Sequence, residues 1–159
     1  MRDQEGNIYG VTGNGGNLND CGFGCGAVFK LEPGGEEKLL YSFTGGADGA
    51  EPLASVVRDA EGNLYGTAAY GGDITNSPCA AVGGCGVVFK LDAHGHEIVL
   101  HTFAGGEDGA NPTANLLLDQ NGNLYGTAQA GGDTGCSVTG SPMPGCGVVF
   151  KITLHPSDQ

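Results

Sequence analysis

The chain has 159 residues, of which 32 are glycine and 7 proline, and its 18 acidic and 6 basic residues give a formal net charge of −12. A surface with this much negative charge repels DNA, RNA and anionic membranes. The charge therefore excludes nucleic acid as a partner. No apolar run approaches the roughly 18 residues of a membrane span, so we predict no membrane insertion.

Three short motifs recur at intervals of 56 to 61 residues. They are Gly-Asn-Ile/Leu-Tyr-Gly, Cys-Gly-x-Val-Phe-Lys-Leu/Ile and Phe-x-Gly-Gly-x-Asp-Gly-Ala. Such periodicity predicts a tandem array of one structural unit, about 2.6 copies long, with the glycines at turns. We divide the chain into three units, which are residues 1–57, 58–117 and 118–159. The first unit lacks most of its inner strand and the last lacks its outer strand.

In chain order, the complete middle unit predicts four β-strands. A turn with Glu61-Gly62 joins the first two, because such pairs supply the positive φ of tight hairpins. A long Gly-rich loop with two cysteines leads to the third strand, whose apolar residues alternate in direction. The predicted strands are 54–59 (with 114–119 as its counterpart), 64–68, 86–92 and 97–103, and residues 104–112 cross to the next unit.

Short strands joined by hairpins and a longer crossover predict an all-β fold of four-stranded antiparallel blades, like those of a β-propeller. A solenoid and a barrel are the competing architectures. A solenoid has a shorter period per coil, however, and a barrel does not need near-identical repeats. Propellers close with about four to eight blades. We therefore expect the array to be completed by oligomerisation, into a ring or a fibre, or by a longer chain.

The order Gly-Asn-Leu-Tyr-Gly-Thr, Gly-Gly, Gly-x-Val-Phe-Lys-Leu and Leu-x-x-Phe-x-Gly-Gly-x-Asp-Gly-Ala-x-Pro resembles the GloVer tandem repeat. That repeat occurs in bacterial exported proteins described as choice-of-anchor proteins. The resemblance covers essentially the whole chain. It implies export and surface display, hence a secreted, extracellular or cell-surface location, and it implies no particular activity. The chain departs from the pattern in its extra loop cysteines and in showing no anchor segment after Ile152.

The cysteines fall two to a unit, in the same loop of each. Pairing within each loop is the natural choice for disulfides, whereas zinc needs four ligands together and no histidine lies near these loops. Short closures of this kind would pin loops that are poor in apolar side chains. The predicted pairs are Cys21–Cys25, Cys79–Cys85 and Cys136–Cys146.

The acidic loop after the fourth strand holds Asp48 and its copy Asp108, which are candidate calcium ligands on a Gly-rich turn. Each loop supplies only one or two carboxylates, so a turn in which the aspartate bonds its own backbone is the alternative. No other cofactor is expected.

Two other residue types recur in the strands. The tyrosines could face a ligand and stack on sugars, or pack between sheets with their hydroxyls bonded. The lysines are predicted to lie on a solvated strand face or to pair with nearby carboxylates. These sets are Tyr9, Tyr65 and Tyr125, and Lys30, Lys90 and Lys151.

His94, His96 and His101 are confined to the middle unit, and no motif for a nucleophile or a metalloprotease is present. We therefore predict no catalytic residue. The favoured function is a non-catalytic structural or adhesive module that associates with itself. The alternative is a carbohydrate-binding or hydrolytic propeller with a site in its channel or loops, with glycans as partners, and it depends on fold analogy.

Overall fold

The structure is a computed structural model that describes residues 1–133, 135–136 and 145–155. Within these residues the fold is all-β, as predicted, and its helical content is one 3-10 turn at Ala80–Val82. No helix of the described segments is long and apolar enough to cross a membrane. The strands are β1 Ile8–Thr12, β2 Ala27–Leu31, β3 Glu37–Ser42, β4 Val57–Arg58, β5 Leu64–Ala68, β6 Val87–Leu91, β7 Glu97–Thr102, β8 Leu117–Leu118, β9 Asn123–Ala128 and β10 Val148–Thr153.

The strands form three antiparallel sheets with one plan. Sheet 1 has the order β1-β2-β3, sheet 2 the order β4-β5-β6-β7, and sheet 3 the order β8-β9-β10. The same pairing recurs in each sheet, because Tyr9, Tyr65 and Tyr125 lie directly opposite the three repeated lysines. The repeated motifs therefore fold into repeated structure.

The inner strands β4 and β8 are shorter than the predicted 54–59 and 114–119. Before β4 the backbone turns towards the next unit, where the Ser55 N–H donates to the side-chain oxygen of Asn115 at 2.8 Å. In sheet 1, Met1 and Arg2 occupy the corresponding place. Arg2 forms an isolated antiparallel β-bridge with Ile8, and the Met1 amino group and carbonyl both form hydrogen bonds with the backbone of Tyr9.

Sheet 2 is packed on both faces, so that every residue of β5 and β6 is buried. One apolar cluster, including Val28, Phe43 and Phe89, lies between sheets 1 and 2. A second, including Val88, Phe103 and Leu124, lies between sheets 2 and 3. The two faces of β6 thus belong to two different cores, since alternate strand residues point to opposite sides.

The crossover segments also join neighbouring units through the backbone. Ala50 pairs with Tyr70, and Ala110 pairs with Ala130 in the same way. The short strands β4 and β8 also contact each other. Face-to-face packing, crossover pairing and inner-strand contact therefore all link successive sheets.

Candidate functional site

The three predicted disulfides are confirmed, each closing the loop between the second and third strand positions of its own unit. Their Cα–Cα distances are 5.3 Å for Cys21–Cys25, 5.1 Å for Cys79–Cys85 and 5.6 Å for Cys136–Cys146. The Cys25 and Cys85 carbonyls accept hydrogen bonds from Glu51 and Asn111 in the crossovers. The first two disulfides therefore anchor the loop bases at which the chain leaves for the next unit.

A recurring Asp-Asn-Tyr network is the main polar feature of the units. The Asp59 carboxylate accepts hydrogen bonds from the Asn63 backbone at 2.8 Å, the Asn63 side chain at 2.7 Å and the Tyr65 hydroxyl at 2.9 Å. The same three bonds recur in the third unit, from Asn123 and Tyr125 to Asp119. The first unit repeats both asparagine bonds, from Asn7 to Asp3.

The network is a closed structural device, because each carboxylate is satisfied by groups of its own hairpin. Hydrogen bonds from the Asn123 side chain and backbone lower the pKa of Asp119. Burial, followed by the hydrogen bond to Asp59, raises the pKa of Tyr65 well above its usual value. Sequence analysis missed the aspartate, although its constant spacing before Gly-Asn-x-Tyr was visible in all units.

The three tyrosines differ in what covers them. Tyr65 has no exposed surface. Tyr9 is half-buried, and the Arg58 guanidinium of the next sheet lies 5.6 Å from its ring centroid. Tyr125 is also half-buried, and the Lys151 ammonium lies 5.6 Å from its ring. Contact of these tyrosines with a ligand stays a prediction.

The lysines do not share one environment. Lys30 pairs with Glu32 at 2.9 Å. Lys90 is only 4% exposed, so it does not lie on a solvated face. That part of the prediction was wrong because sheet 3 covers the face that carries Lys90, which strand alternation alone cannot show. Of the three lysines, only Lys30 forms an ion pair with a carboxylate within the described segments.

Both candidate calcium ligands close their own loops. The Asp48 carboxylate accepts hydrogen bonds from the Thr44 backbone at 2.7 Å, the Thr44 hydroxyl at 2.6 Å and the Tyr41 hydroxyl at 3.1 Å. Asp108 accepts from the Ala104 N–H at 2.9 Å and lies 3.3 Å from His101. Among the described residues no group of three or more His, Cys, Asp or Glu is arranged to hold a metal ion. Calcium at these loops stays a prediction.

The other two histidines of the middle unit belong to one turn. The rings of His94 and His96 lie 3.9 and 3.0 Å from the Asp92 carboxylate, and both side chains are largely exposed. The backbone N–H of His96 is the main reason that the pKa of Asp92 is lowered to about 2. These side chains project from the β6–β7 turn, whereas His101 lies near the other end of β7.

A comparison with protein-family models matches residues 1–158 to the Gloeobacter/Verrucomicrobia repeat. The chain belongs to this family. The match confirms the GloVer-type resemblance of the motifs. A search of curated proteins found no match to the chain.

This Gloeobacter/Verrucomicrobia repeat protein also contains a half-buried carboxyl, that of Glu97, which sequence analysis did not find. Burial, with the negative charge of Asp48 in addition, raises the pKa of Glu97 to about 7. Its Oε1 atom is buried and has no hydrogen-bond partner. Glu97 begins β7 of sheet 2 and Asp48 follows β3 of sheet 1, so the two carboxyls meet only through tertiary packing.

Grooves lie where adjacent units of the repeat meet. One, of about 320 Å³, is lined by Tyr9, Lys30 and Arg58 among others. Another, of about 460 Å³, is lined by Arg58, Tyr65 and Leu118 among others. Both grooves lie beside the Asp-Asn-Tyr hairpins: Tyr9 lines the first and Tyr65 the second, whereas Tyr125 lines neither of them.

Proposed function

We propose that the chain is a non-catalytic, extracellular structural or adhesive module, whose sheets stack as the blades of a propeller-like array. One observation carries this proposal: the conspicuous polar side chains recur from unit to unit and bond within their own hairpins. A catalytic site needs a constellation that occurs once, whereas Asp59 and Asp119 have the same partners in the same geometry. Groups already bonded in this way stabilise a scaffold.

The propeller-like arrangement is supported by the way successive sheets meet. The inner strands β4 and β8 contact each other, while apolar clusters fill the space between sheet faces farther out. Each crossover starts at an outer strand and pairs with the second strand region of the next unit. Small-angle scattering of a chain carrying more units tests the arrangement: blades around an axis predict a compact disc, and a rod-like profile would contradict them.

The extracellular location is supported by three disulfides, one for each unit. Such bonds form and persist in oxidising compartments and are rare in the cytosol. The test is to express the natural reading frame and label intact cells with a membrane-impermeant reagent. Surface display predicts labelling of the repeat without lysis, and labelling only after lysis would contradict it.

The structural role is tested against the carbohydrate-binding or hydrolytic alternative with a glycan array and a panel of glycoside substrates. The scaffold role predicts no saturable binding and no turnover. The variants Y125F and Y9F, which keep the rings and remove the hydroxyls, should behave as the parent does. Specific binding that Tyr125→Ala abolishes without lowering Tm would overturn the proposal and would place the ligand on the face of sheet 3 that carries Tyr125.

A further inference from the structure

Sheet 2 shows what covers each face of a unit in this protein. Its face towards sheet 1 carries Leu64, Phe89 and Leu91, and each of these is at most 3% exposed. Its face towards sheet 3 carries Tyr65 and Val88, which have no exposed surface. Each face of a unit therefore has a partner of defined chemistry, which is the opposite face of the neighbouring unit.

The outward face of sheet 3 repeats the second of these faces but is uncovered. Val149 corresponds to Val88 and is 81% exposed. Val149 lies opposite Thr127 as Val88 lies opposite Thr67, and Thr127 is likewise exposed. Tyr125 and Lys151 complete this face. We call these four residues the tail face: Thr127, Tyr125, Val149 and Lys151.

The outward face of sheet 1 repeats the first face and is also uncovered. Ile8 corresponds to Leu64 and is 44% exposed, and Leu39, opposite Phe29, is 56% exposed. Phe29 and Leu31 are half-buried, whereas their counterparts on sheet 2 are buried. Arg2 lies on this side too, because it pairs with Ile8 as Arg58 pairs with Leu64. We call these residues the head face: Arg2, Ile8, Phe29, Leu31 and Leu39.

We propose that the tail face of one copy binds the head face of a second copy, in the same way that sheet 1 binds sheet 2 inside the chain. The proposal rests on the structural role proposed above and deepens it by naming the partner. Two internal interfaces already join faces of these two kinds. Because head and tail differ in composition, the contact is heterologous, and heterologous contacts generate rings or filaments.

Arg2 and Tyr125 are the specific pair expected in this contact. Within the chain, the Arg58 guanidinium lies over the Tyr9 ring of the preceding sheet at 5.6 Å. Arg2 occupies the place of Arg58 in sheet 1, where its guanidinium lies beside Gly6 as that of Arg58 lies beside Gly62. Tyr125 occupies the place of Tyr9 in sheet 3. In the contact, the guanidinium of one copy lies over the Tyr125 ring of the other, a favourable cation–π contact that replaces the Lys151 ammonium seen over that ring in the single chain.

Sedimentation of the 159-residue chain over a range of concentrations tests the contact. We expect concentration-dependent self-association, and V149D should weaken it about a hundredfold or more, because the contact would bury an unpaired carboxylate. Phe23→Asp is the matched control, because Phe23 has the same 81% exposure but lies in a disulfide loop outside both faces. Arg2→Ala should weaken association by about twofold to fivefold, the loss expected for an exposed cation–π pair.

Mixing two blocked variants tests the heterologous geometry. V149D retains an intact head face and Ile8→Asp retains an intact tail face, so each should be monomeric alone and the two should form a 1:1 complex. Circular dichroism and a thiol assay verify that both variants fold. A monomeric parent chain at every concentration, or an Ile8→Asp variant that still dimerises, would overturn the inference. Either result leaves the structural role standing, whereas specific glycan turnover would refute that role and leave the contact untouched.

Discussion

Gly66 offers a direct test of how tightly sheet 2 is held between its neighbours. It lies in the middle of β5 beneath the ring of Phe89, and a Cβ added to Gly66 would be 2.6 Å from the Phe89 Cζ atom. That is about 1 Å closer than an ordinary carbon–carbon contact. Phe89 has no exposed surface, and its ring packs edge-on against Phe43 with centroids 5.1 Å apart. The ring therefore has no free space to move into.

The expected cost of Gly66→Ala follows from this geometry. Forcing extra volume into a packed core costs about 1–3 kcal/mol. Replacing a glycine in a strand interior by alanine stabilises the folded state by about 0.5–1 kcal/mol. We expect a net loss of about 1–2 kcal/mol, which for a chain of this length lowers Tm by roughly 2–8 °C.

Gly10→Ala is the matched control. The added Cβ would lie 2.5 Å from the Phe29 Cζ atom, nearly the same encroachment, but Phe29 is half-buried on the head face and can swing outwards. We expect a change within about 0.5 kcal/mol. Thermal and urea unfolding should be followed in the V149D background, because V149D prevents the tail face of a second copy from covering the head face. Equal losses for the two variants, or a Gly66→Ala variant as stable as its parent, would refute the packing argument.

Three further predictions concern charge and covalent closure. Hydrogen bonds lower the folded-state pKa of Asp119, so the ionised carboxylate stabilises the fold fully above about pH 4, and this stabilisation is lost as the pH falls through the folded pKa. In urea unfolding, the free energy of unfolding of D119N should therefore depend less on acid pH than that of the parent. The pKa of Glu97 is raised to about 7 by burial and by Asp48, so stability falls as the pH rises between the ordinary pKa and the raised one, and Glu97→Gln should raise Tm at about pH 8 and leave it unchanged at about pH 4. An unchanged Tm of Glu97→Gln at the higher pH would contradict that burial. Replacing Cys79 and Cys85 together by serine should cost about 2 kcal/mol in urea unfolding, and six titratable thiols in the unreduced, unfolded parent would refute the disulfides.

The local structure of the repeat follows from the order of residues along the chain. The spacing of Gly-Asn-x-Tyr-Gly and Cys-Gly-x-Val-Phe-Lys predicted β5 at residues 64–68 and placed β6 and β7 to within a residue at each end. Turn glycines and period-two alternation act within a few residues of chain, so they can be read directly. The pairing of Cys21 with Cys25, and of the later pairs, was readable for the same reason: short closures are local.

The packing of one sheet against the next determines which face is covered and which carboxyl groups come close together. Val88 and Val149 occupy the same position of the motif, yet the first has no exposed surface and the second is 81% exposed. Among the described residues, sheet 2 has a neighbouring sheet on both faces, whereas sheet 3 has one on a single face. The burial of Lys90 and the approach of Glu97 to Asp48 depend likewise on contacts between units. A repeated motif specifies its own strands and turns, whereas the burial of its side chains depends on which sheets pack against it. For this reason the uncovered head and tail faces could be identified only from the structure.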